Sequence, residues 1–326
     1  FKLIIWIIVI TGWIFYWNYT SFLEAKISPN TSPLIVDTGS TFRSVLIEQW
    51  LSPDMTKVYL KLNAPDFSLQ AGRFNVGEDM SIEEFLEALK KPLNETDVSL
   101  TFLEGWNIFD IDEYLTGKNL IQWWDFIKYA ENDFKELTER YSFISSALSL
   151  EGFLYPDTYL VNPNTFTPAS LSWKMLENFT EKIYVPFLSG EDPDTVYNLI
   201  NLASIVEKEE RNPDEKSTVA GILKKRWQEW WQIGADITVC YPQRLTSEEC
   251  KVSVTKYLYE ENDYNTRQKV WLPKTPIGNP AAETVEATVN SKDTPYYFYL
   301  HNVASWKVYY AVTNADHEQN KAAYLR

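Results

Sequence analysis

Apolar and polar positions follow two different periods along this chain, and each period predicts a set of elements. Apolar residues recur every three to four positions where a helix is predicted and every second position where a strand is predicted. The predicted helices are 42–50, 125–137, 143–148, 194–210, 213–231 and 316–325. The predicted strands are 34–36, 58–62, 98–103, 296–300 and 308–312. Between residue 237 and the late strands, Pro and Gly residues predict loops and short strands. This mixture predicts an α+β fold.

The first segment, 3–17, is almost wholly apolar, and aromatic side chains follow it as far as Tyr19. Its length is at the short end for a bilayer span, and its clustered rings suit a membrane–water interface. A cleaved signal peptide is the alternative, but the core is bulky and no small-residue cleavage site follows it. The segment predicts a single-pass anchor in the cytoplasmic membrane, with the rest of the chain on the extracytoplasmic side. Because the sequence starts at Phe1 rather than Met, further residues are expected upstream.

The composition of the chain argues against some kinds of partner and some kinds of catalytic site. The chain has 326 residues and a net charge of −15, so a nucleic-acid partner is not expected, since phosphate binding needs clustered cations. Only two histidines are present, His301 and His317, which argues against Ser-His or Cys-His catalysis. Cys240 and Cys250 lack the additional ligands of a metal site, so a disulfide or two free thiols are expected.

The most informative segment is 202–210, which reads Leu-Ala-Ser-Ile-Val-Glu-Lys-Glu-Glu. It is the end of an apolar helix that presents three carboxylates in its last turn. At a buried corner between two helices, the helix dipole and desolvation both favour the neutral form of such a carboxyl. A carboxyl that keeps its proton near neutral pH can act as a general acid. Periodicity alone does not choose among Glu207, Glu209 and Glu210.

A second helix is predicted directly after this corner. Asn212 is a good N-cap and Pro213 suits the first helical position. Glu215 stands where a capping box has its glutamate. The two helices therefore form a predicted hairpin.

Five segments, taken in order along the chain, resemble motifs of the YceG-like family of lytic transglycosylases, the endolytic murein transglycosylases. They are Glu-Gly-Phe-Leu-Tyr-Pro-Asp-Thr-Tyr at 151–159, Leu-Ala-Ser-Ile-Val-Glu-Lys-Glu at 202–209, Asp-Ile-Thr at 236–238, Tyr-Asn-Thr at 264–266, and Leu-Pro with Pro-Ile-Gly-Asn-Pro within 272–280. His317 stands where the family has a His near its end. The apolar run and the polar segment after it predict a transmembrane anchor at 1–22 and a linker at 23–33. The resemblance implies a LysM-like α/β module at 34–98 and a mixed α+β catalytic domain at 99–326. Contact with glycan is one interpretation of the small module, and a packing or spacer role is the other.

The resemblance also implies a reaction, the cleavage of MurNAc-β-1,4-GlcNAc bonds within nascent peptidoglycan strands. Glu209 matches the family's catalytic glutamate, with Glu207 as the second candidate. One carboxyl first protonates the glycosidic oxygen and then takes a proton from the C6 hydroxyl of the same MurNAc, which leaves a 1,6-anhydro end. This chemistry needs no metal and no cofactor, but water must be kept away. Peptidoglycan synthases of the same membrane are the implied partners.

Other residues in the matching segments are candidates for substrate binding. They are Glu151, Asp157, Asp236, Tyr264, Asn265 and His317. Asn265 could bond an N-acetyl group, because an amide both donates and accepts. For Glu151 and Asp157 a structural role in packing or turn capping is the alternative, and His317 is expected to orient a neighbour rather than to transfer a proton.

The chain departs from the family pattern at three places, one of which is the atypical loop between Cys240 and Cys250. Gly234 and Ala235 stand where many members have Gln and Thr, which removes two side chains that could bond in the groove. Glu210 stands where Thr is usual, and a second carboxylate beside Glu209 is expected to raise its pKa by repulsion. Two other functions remain open, a non-catalytic peptidoglycan-binding scaffold and a hydrolytic muramidase, which would use water and two carboxylates.

Overall fold

The computed structural model describes residues 2–29, 33–93, 97–302, 305 and 307–325. The chain divides into two units. The first comprises Phe1–Val98 and Leu160–Phe166, and the second comprises Ser99–Tyr159 and Thr167–Arg326. Each unit has its own set of contacts.

The first unit combines a long N-terminal helix with a small α/β module. Its elements are, in chain order, α1 (Lys2–Leu23), β1 (Leu34–Val36), α2 (Phe42–Glu48), α3 (Pro53–Leu62), β2 (Gly72–Phe74) and α4 (Ile82–Ala88). β1 and β2 pair antiparallel, with Ile35 opposite Arg73. An apolar core that includes Val45, Phe74 and Phe85 joins the helices to this two-stranded sheet.

The predicted membrane anchor falls on α1. As the apolar run predicts, the segment is helical, and Phe22 at its end is buried in the core of the first unit. No helix within the described segments is long and apolar enough to cross a membrane. The anchor therefore stays a prediction.

The remaining elements include the predicted helical hairpin and the two late strands. They are β3 (Val98–Thr101), α5 (Ile108–Gly117), α6 (Asp125–Lys128), β4 (Thr158–Val161), α7 (Pro168–Phe179), α8 (Pro193–Glu209), α9 (Pro213–Gln228), α10 (Ser247–Ser253), α11 (Ala282–Val289), β5 (Phe298–His301), β6 (Val308–Ala311) and α12 (Asn314–Tyr324). β3 pairs with β4, and β5 pairs antiparallel with β6. Short 3-10 and π turns fill several connections, among them Thr180–Leu188 and Asp236–Gln243.

Helix α8 is the centre of the second unit and packs against both α9 and α11. Every side chain from Ile200 to Val206 is buried, which is typical of a helix enclosed on all sides. Gly152 allows the segment before β4 to approach this helix closely. Its φ is +89°, and a Cβ there would lie 2.7 Å from Ile200 Cγ2 and from Pro276 Cβ. Only a glycine meets both conditions without strain.

Several sequence predictions are confirmed, and four are wrong in whole or in part. The strands at 34–36, 98–103, 296–300 and 308–312, the hairpin of α8 and α9 and the final helix are all present. The predicted strand 58–62 lies instead in α3, which Pro53 begins and whose buried Thr56 and Tyr59 share one helical face. The predicted helix 143–148 is only a 3-10 turn, Ser142–Ile144, and 125–137 breaks after Lys128 into π and 3-10 turns. Beyond residue 237 the chain forms helical turns and α10 before any strand.

Cys240 and Cys250 form a disulfide, with their Cα atoms 5.6 Å apart. This confirms the disulfide alternative over free thiols. The bond joins the 3-10 turn Asp236–Gln243 to α10, and it lies in a small apolar cluster with Val239. It therefore fixes a loop that follows directly after Asp236.

Reduction of this disulfide is expected to lower the free energy of unfolding by about 2–3 kcal/mol, because the cross-link restricts a short loop in the unfolded chain. The loop spans a sequence separation of 10. Chemical denaturation with and without reductant measures the difference. The double variant Cys240→Ser, Cys250→Ser should match the reduced protein and should not respond to reductant. An unchanged denaturation midpoint on reduction would contradict the expectation.

Candidate active site

Glu209 is the last residue of α8 and lies half-buried at the corner of the helical hairpin. Its Oε2 accepts a hydrogen bond of 2.9 Å from the Tyr299 hydroxyl of β5. Burial raises the pKa of Glu209, the Tyr299 hydrogen bond lowers it in part, and the negative charge of Asp236 raises it again. A carboxyl with a raised pKa can hold a proton near neutral pH, which is what a general acid must do.

The neighbouring carboxylate, Glu210, is directed into the protein. Its Oε2 lies 2.9 Å from Nε2 of His301, and its Oε1 accepts a bond of 2.7 Å from the backbone N–H of Asn212. Only 3% of its side chain is exposed. Glu210 therefore has two partners of its own, and one of them is a group that can carry a positive charge.

The turn between α8 and α9 confirms part of its prediction. Asn212 is the N-cap, with its Oδ1 accepting from the backbone N–H of Asp214, and Pro213 opens the helix. The predicted capping box is wrong. The backbone N–H of Asn212 donates to Glu210 rather than to Glu215, and Glu215 accepts a hydrogen bond from the hydroxyl of Tyr310.

Glu207, the second candidate, lies one helical turn before Glu210 in a fixed network of partners. Its Oε1 lies 3.6 Å from Nζ of Lys216, and its Oε2 accepts from the backbone N–H of Ala281 and from the Thr284 hydroxyl. Only 9% of its side chain and 3% of the Lys216 side chain are exposed. The carboxylate of Glu207 is thus fully engaged in joining α8 to α9 and α11.

A groove of about 440 Å³ runs along the last turn of α8. Its wall contains Lys208, the neighbour of Glu209, and Ile237, the neighbour of Asp236. It is lined by Leu103, Glu104, Gly105, Trp106, Glu207, Lys208, Arg211, Lys216, Ile237, Lys251 and Glu283. Burial and then the charge of Glu207 raise the pKa of Glu104, while burial lowers the pKa of Lys208. An open cleft with both charges fits a polar chain such as a glycan.

Two glycines bring the loop 103–106 against α8. A Cβ on Gly278 would lie 2.6 Å from the carbonyl oxygen of Gly105 and 2.9 Å from Cε of Lys208. Gly105 itself has a φ of +75°. Its N–H donates to the carbonyl oxygen of Asn279 at 2.8 Å, and the N–H of Asn279 returns a bond of 2.8 Å to the carbonyl oxygen of Trp106. The groove wall is therefore held by backbone pairing.

Asn279 and Glu151 form a buried network beneath this wall. Asn279 accepts through Oδ1 from the N–H groups of Gly152 and Leu154, and its Nδ2 donates to Glu151 Oε1 at 3.0 Å. The other oxygen of Glu151 accepts from the N–H of Ile108 at 2.9 Å. Burial raises the pKa of Glu151 to about 8. Because Glu151 is fully buried, the geometry gives it a role in positioning the wall, and direct substrate contact stays a prediction.

These features agree with comparisons to known proteins. A model of the YceG-like family matches residues 36–323. This chain belongs to the YceG-like family. The chain is 26% identical over 281 residues to an endolytic murein transglycosylase of Streptococcus pneumoniae R6, a match covering 79% of this chain and 51% of that protein. The chain thus spans about half the length of the Streptococcus pneumoniae relatives.

Two further relatives agree with the family. An endolytic murein transglycosylase of Bacillus subtilis 168 is 22% identical over 269 residues, covering 78% of this chain and 73% of that protein. The crystal structure of a YceG-like protein from Listeria monocytogenes has the same fold, with a TM-score of 0.58 at 20% identity. That match covers 90% of this chain and 99% of the Listeria chain.

The YceG-like motif residue Asp157 has partners away from the corner. Its Oδ2 accepts a bond of 2.6 Å from Nζ of Lys182 and one of 3.3 Å from Asn178, and its Oδ1 accepts from the N–H of Thr158. The Lys182 hydrogen bond lowers the pKa of Asp157. The carboxylate thus caps its own turn and pairs with a lysine, and its contact with substrate stays a prediction.

Tyr264 and Asn265 organise the loop that precedes the proline-rich segment 272–280. The Tyr264 hydroxyl lies 3.1 Å from Oγ1 of Thr275, and its ring stacks on Tyr241 with centroids 5.2 Å apart. Asn265 is fully buried, and its Nδ2 donates to the carbonyl oxygens of Leu258 and of Glu260. The amide of Asn265 is therefore engaged within the loop rather than presented to a ligand.

Asp236 and His317 complete the predicted set. Asp236 is exposed, pairs with Arg267, and is close enough to act on the pKa of Glu209. His317 stacks on Phe298 of β5 with ring centroids 5.0 Å apart, and burial lowers its pKa. Of the six predicted binding residues, Asp236 is the one whose charge acts on Glu209.

Sequence reasoning missed three residues at this site. Tyr299 and His301 contact Glu209 and Glu210 from β5, and Asn279 holds the groove wall. The strand pattern could have suggested the first two, since residues two apart on a strand share a face. For Asn279 the only signal was its place between a glycine and a proline in the family's proline-rich segment.

Proposed function

We propose that this chain is an endolytic lytic transglycosylase that cleaves MurNAc-β-1,4-GlcNAc bonds within peptidoglycan strands. The observation that carries the proposal is the raised pKa of the half-buried Glu209 in the last turn of α8, the turn from which its neighbours Glu207 and Lys208 line an open groove. Membership of the YceG-like family supports it, as do two relatives from different organisms that are named endolytic murein transglycosylases.

In this mechanism Glu209 acts twice. Protonated Glu209 gives its proton to the glycosidic oxygen as the bond to C1 of MurNAc breaks, and an oxocarbenium-like centre forms. The resulting carboxylate takes the proton of the C6 hydroxyl of the same MurNAc, whose oxygen closes on C1. The Tyr299 hydroxyl, 2.9 Å from Glu209 Oε2, orients the carboxyl and stabilises its ionised state between the two steps.

One observation favours a second candidate function, a hydrolytic muramidase. Glu104 and Glu207 line the same groove, and the pKa of Glu104 is raised. A pair of carboxylates in which one keeps its proton is the arrangement of ordinary glycoside hydrolysis. We rank it second because Glu207 is engaged by Lys216 and Thr284.

Mass spectrometry of fragments released from purified peptidoglycan separates these functions. The proposal predicts internal fragments that end in 1,6-anhydro-MurNAc from the wild type and none from Glu209→Gln. Reducing ends would identify a muramidase instead. Binding without any released fragment would identify a non-catalytic scaffold.

We further propose that residues 34–98 form a LysM-like module that contacts glycan. A groove of about 610 Å³ has in its lining the rings of Tyr59 and Phe67 together with polar side chains such as Asn63. Aromatic faces beside hydrogen-bonding groups suit sugar rings. In the Glu209→Gln background, Phe67→Ala should weaken binding to insoluble peptidoglycan. Unchanged binding would favour a spacer role.

The proposed location is the extracytoplasmic face of the cytoplasmic membrane, through a single-pass anchor in 1–22, with peptidoglycan synthases as partners. The apolar run 3–17 supports the anchor, and action on nascent strands would place the enzyme beside synthases. Extraction of membranes with alkaline carbonate tests the anchor. Release of the full chain into the soluble fraction would argue against it.

A further inference from the structure

Strand β5 places two side chains against the two consecutive carboxylates at the end of α8. Tyr299 and His301 are two residues apart, so they project from one face of the strand. Tyr299 donates to Glu209 at 2.9 Å, and His301 Nε2 lies 2.9 Å from Glu210 Oε2. Glu209, the proposed acid, is thus bonded to a neutral tyrosine. Glu210 is bonded to a histidine, a residue type that titrates near neutral pH.

We propose that Glu210 and His301 are a positioning pair that sets the charge beside Glu209 and fixes the end of α8. This inference rests on the proposed function. The pair is an integral part of the fold, because Glu210 is 3% exposed and also binds the N–H of Asn212, which begins the connection to α9. A carboxylate this buried is costly unless it is paired.

The charge of the pair depends on His301. When His301 is protonated the pair is neutral, and when it is not, one negative charge remains beside Glu209. The hydrogen bond to Glu210 raises the pKa of His301, burial opposes this, and the charges of Glu210 and Glu209 raise it further. His301 therefore gains affinity for its proton as Glu209 loses its own.

Other ionisable groups from neighbouring elements act on the same site. They are Tyr299 of β5, Tyr310 of β6, Arg226 of α9 and Asp236 of the 3-10 turn. The two tyrosines are neutral near pH 7, and Arg226 and Asp236 have opposite charges of fixed sign. Among these groups and the pair, His301 is the one whose ordinary titration range includes neutral pH.

This pairing explains why a carboxylate is tolerated next to the proposed acid. The sequence alone predicts that Glu210 raises the pKa of Glu209 by repulsion. In the structure, the Glu210 side chain bonds to His301 and Asn212, and the positive charge of His301 lowers the pKa of Glu209. The partner of Glu210 therefore acts on Glu209 in the direction opposite to the repulsion that the sequence alone predicts.

The test is the dependence of kcat/KM on pH for cleavage of glycan strands, in the wild type and three variants. On the alkaline side, kcat/KM falls as the acid loses its proton. His301→Gln leaves an uncompensated negative charge, so the fall should move to higher pH by about one unit. Glu210→Gln removes one negative charge, so the fall should move to lower pH, by less than one unit because His301 then also binds its proton less tightly. In the double variant both members of the pair are neutral, so its dependence of kcat/KM on pH should be close to that of the wild type.

A purely structural pair would lower activity without these opposite shifts, so four superimposable profiles would overturn the inference. If the wild type releases no 1,6-anhydro ends, the proposed function fails instead, which is a distinct result. Should a variant fail to fold, titration of the wild-type His301 by NMR decides, since the chain has only one other histidine. We expect a pKa for His301 above the ordinary value of about 6.5. A pKa at or below that value would overturn it.

Discussion

Replacement of Glu209 by Gln is expected to reduce cleavage of glycan strands by at least about a thousandfold, because one residue provides both the acid and the base. Gln keeps the size of the side chain and can still accept the hydrogen bond from Tyr299. The fold and the affinity for peptidoglycan should therefore change little. The release of soluble fragments measures cleavage, and sedimentation with insoluble peptidoglycan measures binding.

Two matched variants separate this effect from a general loss of charge. Glu191→Gln changes an exposed residue in the connection before α8, and cleavage should be unchanged. Glu207→Gln weakens the buried pairing of Lys216, so it should lower stability, while the folded protein still cleaves. If Glu209→Gln still cleaves and Glu207→Gln is inactive, then Glu207 rather than Glu209 is the acid.

The largest expected effect on stability is that of Asn279→Ala. Asn279 is 1% exposed, and its side chain satisfies the N–H groups of Gly152 and Leu154, the carbonyl oxygen of Trp106 and one oxygen of Glu151. Each buried polar group that loses its partner costs about 1–3 kcal/mol, so the free energy of unfolding should fall by at least about 4 kcal/mol. Urea denaturation followed by circular dichroism measures the change.

The matched control for this variant is Asn132→Ala. Asn132 is exposed, and its side chain makes a single long bond of 3.4 Å to the carbonyl oxygen of Lys128. Its loss should change the free energy of unfolding by no more than about 0.5 kcal/mol. If Asn279→Ala is no more destabilising than Asn132→Ala, the network beneath the groove does not hold the wall as described.

The parts of the fold that sequence predicted correctly are those fixed by local chemistry. The corner between α8 and α9 follows from Asn212 and Pro213, which lie next to each other and act on their own backbone. The position of Glu209 at the end of α8 needed only the helix boundary and the resemblance to the family.

The errors have physical causes that act over longer distances. Glu215 meets the local rule for a capping box, but Tyr310, 95 residues further along the chain, takes its carboxylate. The alternation of apolar residues at 58–62 predicted a strand, but these residues belong to helix α3, which buries one face. The return of 160–166 to the first unit has no local signal.

At the candidate site, too, the contacts that sequence could not predict join residues far apart in the chain. Glu151 and Asn265 belong to the family's motifs, yet both are fully buried and bonded within the protein. The bond between Glu151 and Asn279 joins residues 128 apart, and that between Glu210 and His301 joins residues 91 apart. No pattern in a single sequence pairs residues so far from each other, so these contacts required the structure.

In the proposed reaction the C6 hydroxyl of MurNAc, rather than water, closes on C1. The most direct test is digestion of purified peptidoglycan by the wild type in water labelled with heavy oxygen, followed by mass spectrometry of the new ends. We expect 1,6-anhydro-MurNAc ends that carry no label, because no water oxygen enters the product. Ends that carry one labelled oxygen at C1 would contradict it and would make the enzyme a hydrolase.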